Sequence, residues 1–183
     1  RVFHGALRKF ILVFFDDILV YSKTWAEHLS HLETAFTILE ANQLLVNRKK
    51  CSFAQHSLEY LGHIISCEGV SMDPKKVDCV RGWPRPKNVK EVQGFLGLTG
   101  YYRKFIQGYG KIAKPLTELT KKDNFLWNAA AEQAFEDLKR CTTTTPLLAL
   151  PDFQQTFVIE CDASGKGVGA VLMQTRRPVA YFS

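Results

Sequence analysis

The chain begins with two short apolar runs that flank a pair of carboxylates. The run 11–15 (ILVFF) precedes Asp16 and Asp17, and the run 18–22 (ILVYS) follows them. Strand-forming residues on both sides of a turn-forming pair predict a β-hairpin with buried arms and an exposed tip. We expect the buried arms to hold the two carboxylates in place.

Apolar residues then recur at alternating steps of four and three, which is the spacing of one face of an α-helix. We expect this helix to pack under the sheet of the hairpin. Residues 44–47 (LLVN) predict a short strand, and residues 49–53 (KKCSF) predict an exposed basic turn. The apolar helix positions are Trp25, Leu29, Leu32, Phe36 and Leu39.

Residues 58–66 (LEYLGHIIS) predict a strand with a glycine at its centre, and Glu68 with Gly69 predicts a turn before Val70. A glycine inside a strand often marks a bulge or the close approach of another backbone. From the pattern alone we therefore expect a buried strand with a bulge at Gly62.

Helix signals dominate from Asp73 onward. Asp73 is a predicted N-cap with Pro74 at the first helical position, and the Trp-Pro-Arg-Pro sequence at 83–86 ends this helix. Asn88 is the predicted N-cap of a second helix. Its apolar face comprises Val92, Phe95, Leu96, Thr99, Tyr102 and Ile106.

Glycines at every third position leave one side of this second helix bare. They are Gly94, Gly97 and Gly100. The bare side could lie along a nucleic-acid duplex, or it could serve packing between helices. The sequence favours neither interpretation.

The last third of the chain predicts a helix followed by a β-meander. The helix ends near Cys141 and has Ala131, Phe135 and Leu138 on one side. The glycine-rich connection 165–169 does not form a dinucleotide-binding fingerprint, and no crossover helix follows it, so no cofactor loop is expected. The strands are predicted at 157–164, 170–174 and 178–182.

Length and composition set the class of protein. With 183 residues and 46% hydrophobic content, the chain can bury the core of one or two globular domains. No apolar run approaches the roughly 20 residues that span a bilayer, so no membrane partner is expected. The N-terminus lacks a signal-peptide pattern and looks like a cut within a larger protein. Five cysteines without a Cys-x-x-Cys pair argue against a disulfide framework or a zinc site and favour a reducing intracellular setting.

The excess positive charge lies in the middle of the chain. Residues 74–124 hold 12 Lys and Arg against 4 Asp and Glu, a net charge of +8. Residues 1–73 (7 against 8) and 125–183 (5 against 6) are each at −1, which gives the total of +6. A concentrated basic face attracts nucleic-acid phosphates. A solvated lysine-rich helix surface is the structural alternative.

Asp16 and Asp17 carry the clearest candidate chemistry. Adjacent carboxylates repel each other and are hard oxygen ligands, so the pair suits Mg²⁺ and the phosphates that accompany it. Asp is also a favoured turn residue, and an ordinary Asp-Asp turn is the alternative. The apolar flanks favour the metal-binding interpretation.

Residues 14–22 (FFDDILVYS) resemble the metal-binding palm motif of reverse transcriptases of gypsy-class LTR retrotransposons. The family tip usually reads Tyr-x-Asp-Asp, and Phe14 stands at the Tyr position here. The resemblance implies that Asp16 and Asp17 are catalytic ligands of Mg²⁺, or of Mn²⁺ in its place, with Asp16 as the principal ligand. It also implies a third aspartate from an earlier palm strand, which residues 1–10 do not contain.

Two later segments resemble further parts of the same family. Leu61-Gly62-His63 resembles the primer grip, a hairpin that holds the sugar-phosphate of the growing primer end. Residues 83–106 resemble the thumb, through Trp-Pro-x-Pro, FLGL and YYRKFI. A thumb recognises phosphate positions and A-like duplex shape rather than base identity. The residues implied to contact nucleic acid are Leu61, Gly62, His63, Arg103, Lys104, Lys111 and Lys114.

The predicted meander and its Cys-Asp-Ala-Ser sequence at 161–164 resemble the opening of the RNase H domain that is fused to these polymerases. By this resemblance Asp162 is the first catalytic metal ligand of the nuclease. The family draws three further acidic ligands from later elements. A lone Asp after a strand is otherwise most often a turn former.

The resemblance implies an α+β chain in three parts. Residues 1–73 would be a partial antiparallel palm sheet with a packed helix and the primer grip. Residues 74–124 would be a helical thumb. Residues 125–183 would be a connecting helix and the opening β-meander of an RNase H-like α/β domain.

The implied function is RNA-directed DNA polymerisation with two Mg²⁺ ions, fused to cleavage of RNA in RNA-DNA hybrids. The implied partners are RNA-DNA and DNA primer-template duplexes, a dNTP in the intact enzyme, and the rest of the Pol polyprotein. The implied locations are a cytoplasmic retroelement particle and the nucleus. We expect the 183-residue polypeptide by itself to be inactive. The alternative is a non-catalytic retroelement remnant that at most binds nucleic acid through the basic thumb.

Overall fold

The computed structural model of the chain describes residues 2–165 and 167–183. The chain forms two compact units, Arg1–Gln55 and His56–Ser183, and each is described by itself. Both combine helices with small antiparallel sheets, so the predicted α+β class is confirmed. Among the described residues, no helix has both the length and the apolar character needed to cross a bilayer.

The first unit contains the predicted hairpin and helix. Strands β1 (Ile11–Phe14) and β2 (Asp17–Val20) pair antiparallel, and helix α1 (Trp25–Ala41) follows. Thr24 and Glu27 form a capping box, in which each side chain accepts a hydrogen bond from the other residue's N–H. The core of this unit comprises Phe3, Ala6, Ile11, Ala35 and Leu39.

The expectation of buried hairpin arms is wrong for most of their length. Ile11 and Leu19 are buried, and the other arm residues are half-buried or exposed. On α1, Leu39 is buried as predicted, whereas Trp25 and Leu29 are 61% and 51% exposed. A sheet of only two strands covers little apolar surface, which explains the exposure on both elements.

The prediction of a strand at 44–47 is also wrong. These residues have irregular backbone and no strand partner within the described part of the chain, and Leu45 is fully exposed. Strand-forming residues need a paired neighbour, because strand propensity largely reflects packing on a sheet. The basic segment after them forms the expected exposed turn, a 3₁₀ turn at Arg48–Lys50.

The second unit begins with a three-stranded antiparallel sheet. The bulged strand expected at 58–66 is wrong, because Leu61 and Gly62 form a two-residue turn in its middle. Their φ angles are 50° and 68°, the left-handed values of the turn that matches the twist of a hairpin. The turn predicted before Val70 is confirmed. The strands are β3 (Ser57–Tyr60), β4 (His63–Ser66) and β5 (Gly69–Met72).

Four helices follow this sheet. The predicted N-caps of the first two are confirmed, since the Asp73 and Asn88 side chains accept hydrogen bonds from the N–H groups of Lys75 and Glu91. Asn128 caps the last helix in the same way. Each cap satisfies a backbone donor that the helix itself leaves unpaired. The helices are α2 (Pro74–Arg81), α3 (Val89–Tyr101), α4 (Tyr109–Leu119) and α5 (Ala129–Thr143).

The helix predicted to continue to Ile106 ends earlier. After Tyr101 the backbone tightens into a 3₁₀ turn at Arg103–Phe105. Tyr102 and Ile106 are nevertheless buried, so these two predicted apolar positions hold across the change of backbone. Phe105, which was not among the predicted positions, is buried as well.

The glycines of α3 differ in their surroundings. A Cβ at Gly94 would lie 3.6 Å from a ring carbon of Trp83, and one at Gly100 would lie 3.4 Å from the hydroxyl of Tyr109. Gly97 has no described atom within 4 Å of that position. Gly94 and Gly100 therefore face aromatic neighbours at ordinary van der Waals distance, and Gly97 faces open space beside the helix.

Helices α2 to α5 share one hydrophobic core. Phe95 and Phe135 meet with ring centroids 4.6 Å apart, and Trp127 packs edge-on against Phe135. Helix α5 thus packs on the helices assigned to the thumb, while the boundary at 124/125 stays a prediction about domain organisation. The core comprises Val80, Val92, Phe95, Ala113, Leu116, Leu119, Ala131, Ala134, Phe135 and Leu138.

The predicted β-meander is confirmed at the end of the chain. Its second strand begins at Gly167, so the connection expected at 165–169 is shorter than predicted, and Lys166 of that connection lies outside the described residues. The first strand is exposed along its whole length. The strands, each antiparallel to the next, are β6 (Val158–Ser164), β7 (Gly167–Gln174) and β8 (Arg177–Phe182).

Candidate nucleic-acid interface and metal-binding carboxylates

The tip of the first hairpin presents both predicted metal ligands to solvent. Phe15 and Asp16 form the turn, and Asp17 begins β2 opposite Phe14. Phe15 has a φ of 52° and is 87% exposed, so the turn carries a bulky residue in left-handed backbone. The Asp16 and Asp17 side chains are exposed neighbours in sequence.

These two carboxylates fit part of a magnesium site. Among the described residues, no group of three or more His, Cys, Asp and Glu side chains is placed to hold a metal ion. Mg²⁺ prefers oxygen ligands in octahedral geometry and is commonly held by one or two carboxylates, with water and substrate phosphates as the other ligands. Asp16 and Asp17 have the correct chemistry for two such ligands.

The Leu61-Gly62 turn is held by two tyrosines, the last residue of α3 and the residue that follows it. The hydroxyl of Tyr101 donates to the Leu61 carbonyl at 2.8 Å, and the hydroxyl of Tyr102 donates to the Gly62 carbonyl at 2.7 Å. A Cβ at Gly62 would lie 3.2 Å from the Tyr102 hydroxyl, and the positive φ there also favours glycine. The segment that resembles the primer grip is therefore attached to the segment that resembles the thumb.

Sequence reasoning assigned no role to these two hydroxyl groups. In the sequence, Tyr101 and Tyr102 are recognised only as part of the YYRKFI motif, and Tyr102 also as one of the apolar positions of the predicted helix. The adjacent pair of tyrosines was the available signal, because a buried tyrosine hydroxyl usually finds a hydrogen-bond partner.

His63 is packed into the protein next to this turn. The centroid of its ring lies 5.5 to 5.7 Å from the ring centroids of Tyr101, Tyr102 and Phe105. Nδ1 lies 2.7 Å from the Leu61 carbonyl oxygen, which can only accept, so Nδ1 carries the hydrogen. Nε2 is buried without a hydrogen-bond partner. Burial and the nearby Lys104 ammonium lower the pKa of His63, which keeps the ring neutral at pH 7.

The four predicted basic contacts are not equivalent. Arg103 is exposed on the 3₁₀ turn after α3, and Lys111 and Lys114 are exposed on α4. Lys104 is half-buried, with its Nζ 5.3 Å from the centre of the Phe105 ring, and burial lowers its pKa. Arg103, Lys111 and Lys114 are thus the more accessible cations.

Lys111 and Lys114 line the same groove as the predicted nuclease carboxylate. This open groove, of about 1100 Å³, lies between the first part of α4 and the β-meander. Asp162 lies on β6 opposite Gly169, and Glu160 lies two residues before it along the same groove. Lys111 and Lys114, two predicted phosphate contacts, therefore line the same groove as Asp162, a predicted metal ligand. The sequence had assigned the two lysines to the thumb and Asp162 to the RNase H-like domain.

Two family sequence models match the chain. The family described as reverse transcriptase (RNA-dependent DNA polymerase) matches residues 1–65. The family described as an RNase H-like domain found in reverse transcriptase matches residues 127–183. Both families generally use divalent metal ions.

Several related proteins match much or all of the chain. An uncharacterized mitochondrial protein of Arabidopsis thaliana is 54% identical over 132 residues, which cover 71% of the chain and 84% of that protein. Retrovirus-related Pol polyproteins of the Drosophila melanogaster transposons 297 and opus are 41% and 39% identical and are matched over 100% and 96% of the chain. The chain spans only 18% and 19% of the lengths of those two polyproteins.

Solved reverse transcriptase structures share the fold. A foamy viral protease-reverse transcriptase dRH in complex with double-stranded DNA has a TM-score of 0.84 at 27% identity, over 94% of the chain and 31% of that protein. A foamy viral protease-reverse transcriptase in complex with an RNA/DNA hybrid has a TM-score of 0.81, also at 27% identity, over 93% and 24%. With the family matches, these likenesses lead to one conclusion. The chain belongs to the reverse transcriptase family of retrotransposon Pol polyproteins and corresponds to part of their reverse transcriptase and RNase H-like region.

Proposed function

We propose that the chain is the part of a retrotransposon reverse transcriptase that holds the primer end and the template duplex during RNA-directed DNA synthesis. The observation that carries this proposal is the attachment of the Leu61-Gly62 turn to α3 by Tyr101 and Tyr102. Elements that contact one duplex must keep their spacing, and this attachment supports such a fixed spacing within the second unit.

The accessible cations support a nucleic-acid duplex, either RNA-DNA or DNA, as the partner. Arg103 lies two residues after Tyr101, and Lys111 and Lys114 follow on α4. Cations arranged on helices bind phosphates independently of base sequence, which is what copying of any template requires. Leu61, Gly62 and His63 would contact or position the primer strand.

Asp16 and Asp17 would hold Mg²⁺, with Mn²⁺ as a substitute, together with a third palm carboxylate and an incoming dNTP in the intact enzyme. When bound, such ions would supply the positive charge that favours activation of the primer hydroxyl and departure of the pyrophosphate. The two side chains themselves supply adjacent oxygen donors at an exposed tip. Asp162 would be the first metal ligand of the RNase H activity.

The proposed division of the chain is palm with primer grip at 1–73, thumb at 74–124, and connecting helix with the start of the RNase H-like domain at 125–183. The proposed setting is an intracellular retroelement particle, with nuclear entry as a second location. The remaining parts of the Pol polyprotein would be its covalent partners.

Equilibrium binding to a labelled RNA-DNA hybrid across a salt series tests the proposal. The purified chain should bind with an affinity that falls steeply as salt rises, because bound cations displace counterions from the phosphates. The triple variant R103A/K111A/K114A should flatten the slope of log K against log[salt] by about 2 to 3, which is roughly 0.9 per lost contact.

The matched control is K75A/K76A/K90A, which removes the same charge from exposed positions on α2 and the start of α3. It should change the slope by less than half as much. Equal slopes for the two triple variants would favour a diffuse basic surface over the proposed interface. A folded chain that does not bind the hybrid at low salt would overturn the proposal and favour the non-catalytic remnant.

A further inference from the structure

We propose that Tyr101 and Tyr102 are positioning residues that orient the Leu61-Gly62 peptide so that the Gly62 N–H can donate to a backbone phosphate near the primer 3′ end. This inference rests on the proposed function and deepens it. It names the groups that set the orientation of the turn and the atom that the turn offers to the nucleic acid.

The Leu61 carbonyl oxygen is held from two directions. It accepts the Tyr101 hydroxyl at 2.8 Å and the Nδ1–H of His63 at 2.7 Å. Both lone pairs of the oxygen are therefore used, and the carbonyl cannot rotate without breaking a hydrogen bond. A free carbonyl oxygen at this turn would repel a phosphate, and this one is directed toward protein donors instead.

The same peptide fixes the direction of the Gly62 N–H. No described peptide bond is cis, and in a trans peptide the C=O and the N–H point to opposite sides. The Gly62 N–H thus points away from the Tyr101 hydroxyl. Gly62 is also one of the two central residues of a two-residue hairpin turn, so strand pairing does not use its N–H.

Tyr102 holds the second peptide of the turn. Its hydroxyl donates to the Gly62 carbonyl at 2.7 Å, and its side chain is only 1% exposed, so the donor is fixed by the surrounding core. Adjacent tyrosines therefore hold adjacent carbonyls. The turn cannot tilt about either peptide while both hydrogen bonds are made.

A phosphate-by-phosphate binding experiment tests this inference. A set of DNA primers, each with one neutral methylphosphonate linkage among its last six, is annealed to an RNA template, and the dissociation constant of each hybrid is compared with that of the unmodified hybrid. For the unaltered chain, one linkage near the 3′ end should show a loss of about tenfold, as expected for a hydrogen bond to a charged group.

Tyr101→Phe and Tyr102→Phe should each reduce that one loss to about twofold or less, because a mobile turn no longer presents the Gly62 N–H. The losses at the other linkages should remain. Tyr109→Phe is the matched control, because the Tyr109 hydroxyl contacts Thr99 and the Leu96 carbonyl inside the helical region rather than the turn. Tyr109→Phe should show the same loss of affinity at the linkage near the 3′ end as the unaltered chain, although this variant also removes a tyrosine hydrogen bond.

Each outcome decides a different question. A terminal loss that survives in folded Tyr101→Phe and Tyr102→Phe overturns the positioning role and leaves the proposed function standing. Hybrid binding without any terminal loss in the unaltered chain overturns both the primer-holding function and this inference. If Tyr102→Phe does not fold, Tyr101→Phe decides alone, since the Tyr101 side chain is 55% exposed and its ring is retained.

Discussion

Val70 and Leu148 exchange two backbone hydrogen bonds. The Val70 N–H donates to the Leu148 oxygen at 2.8 Å, and the Leu148 N–H donates to the Val70 oxygen at 3.0 Å. The segment between α5 and β6 is thereby joined to β5 in the manner of an added strand. Arg177, at the start of β8, also donates to the Glu68 carbonyl at 2.6 Å. The hairpin sheet is thus attached at two neighbouring places of the same unit, to the segment before the meander through Leu148 and to the meander itself through Arg177.

Gly69→Ala should destabilise the second unit. Gly69 has a φ of 149°, and a Cβ there would collide with the Leu148 carbonyl oxygen. The substitution must strain the backbone and break the bridge, so the free energy of unfolding should fall by about 2 kcal/mol or more. Urea denaturation followed by tryptophan fluorescence measures this loss. A Trp25→Phe background restricts the signal to Trp83 and Trp127, which lie in the second unit.

Gly97→Ala is the control for this prediction. Gly97 lies within α3, where no described atom within 4 Å would meet a Cβ. Alanine is favoured over glycine inside a helix by roughly 0.5 to 1 kcal/mol, so this variant should unfold at a higher urea concentration. A loss of stability similar to that of Gly69→Ala would contradict the assigned contacts.

Mild acid should destabilise the second unit through His63. Burial beside three aromatic rings and the nearby Lys104 ammonium lower the pKa of His63, so the unfolded chain takes up a proton at a higher pH than the folded chain. The stability that neutral His63 provides is present above about pH 6.5 and is lost as the pH falls through the lower pKa of the folded state.

Urea denaturation at a series of pH values below about 6.5, in the Trp25→Phe background, checks this prediction. His63→Phe keeps an aromatic ring in the cluster and should weaken the pH dependence. His56→Gln, at an exposed position of the same unit, serves as the control and should preserve it. A His63 imidazole that titrates at or above pH 6.5 in an NMR titration would rule out the proposed cause.

Alkali should destabilise the second unit through Tyr102. Burial, with a further contribution from the Asp73 carboxylate, raises the pKa of Tyr102 to about 12. An unfolded tyrosine loses its proton near pH 10, so the stability provided by the protonated hydroxyl is complete below about pH 10 and is lost as the pH rises toward about 12.

Phenolate absorbance at 295 nm, recorded together with circular dichroism, follows this process. The Tyr102 phenolate should form in the same transition as unfolding, and Tyr102→Phe should weaken the dependence of stability on pH in that window. Complete ionisation of every tyrosine in a chain that remains folded would show that the hydroxyl is not protected by burial.

Local rules explain which elements could be predicted from the sequence. Asp73 and Asn88 were predicted as caps because the cap and its partner N–H lie within three residues of each other. The hairpin around Asp16 and the meander near Asp162 follow in the same way from short-range patterns. Their candidate roles follow from resemblance to a family, and not from these patterns.

Contacts between distant residues explain what could not be predicted. Tyr101 and Leu61 are 40 residues apart, and no local pattern specifies that a hydroxyl of one reaches the carbonyl of the other. The prediction of a strand at residues 44–47 was wrong for a related reason, since strand propensity does not supply a pairing partner. The shared groove of Lys114 and Asp162 likewise depends on how α4 and the meander pack.

A polypeptide of residues 1–183 should bind Mn²⁺ at the first hairpin but should not extend a primer. Asp16 and Asp17 supply two exposed carboxylates, which give binding on the order of millimolar strength rather than a closed site. Paramagnetic broadening by Mn²⁺ should therefore be strongest for the Phe15 and Asp16 amide signals. Asp16→Asn should abolish this broadening, and Glu33→Gln, at an exposed position on α1, should leave it unchanged.

Primer extension should be undetectable with Mg²⁺, because polymerisation is expected to require a third palm carboxylate that this polypeptide does not supply. Clear Mg²⁺-dependent extension that is lost in Asp16→Asn would show instead that two palm carboxylates suffice.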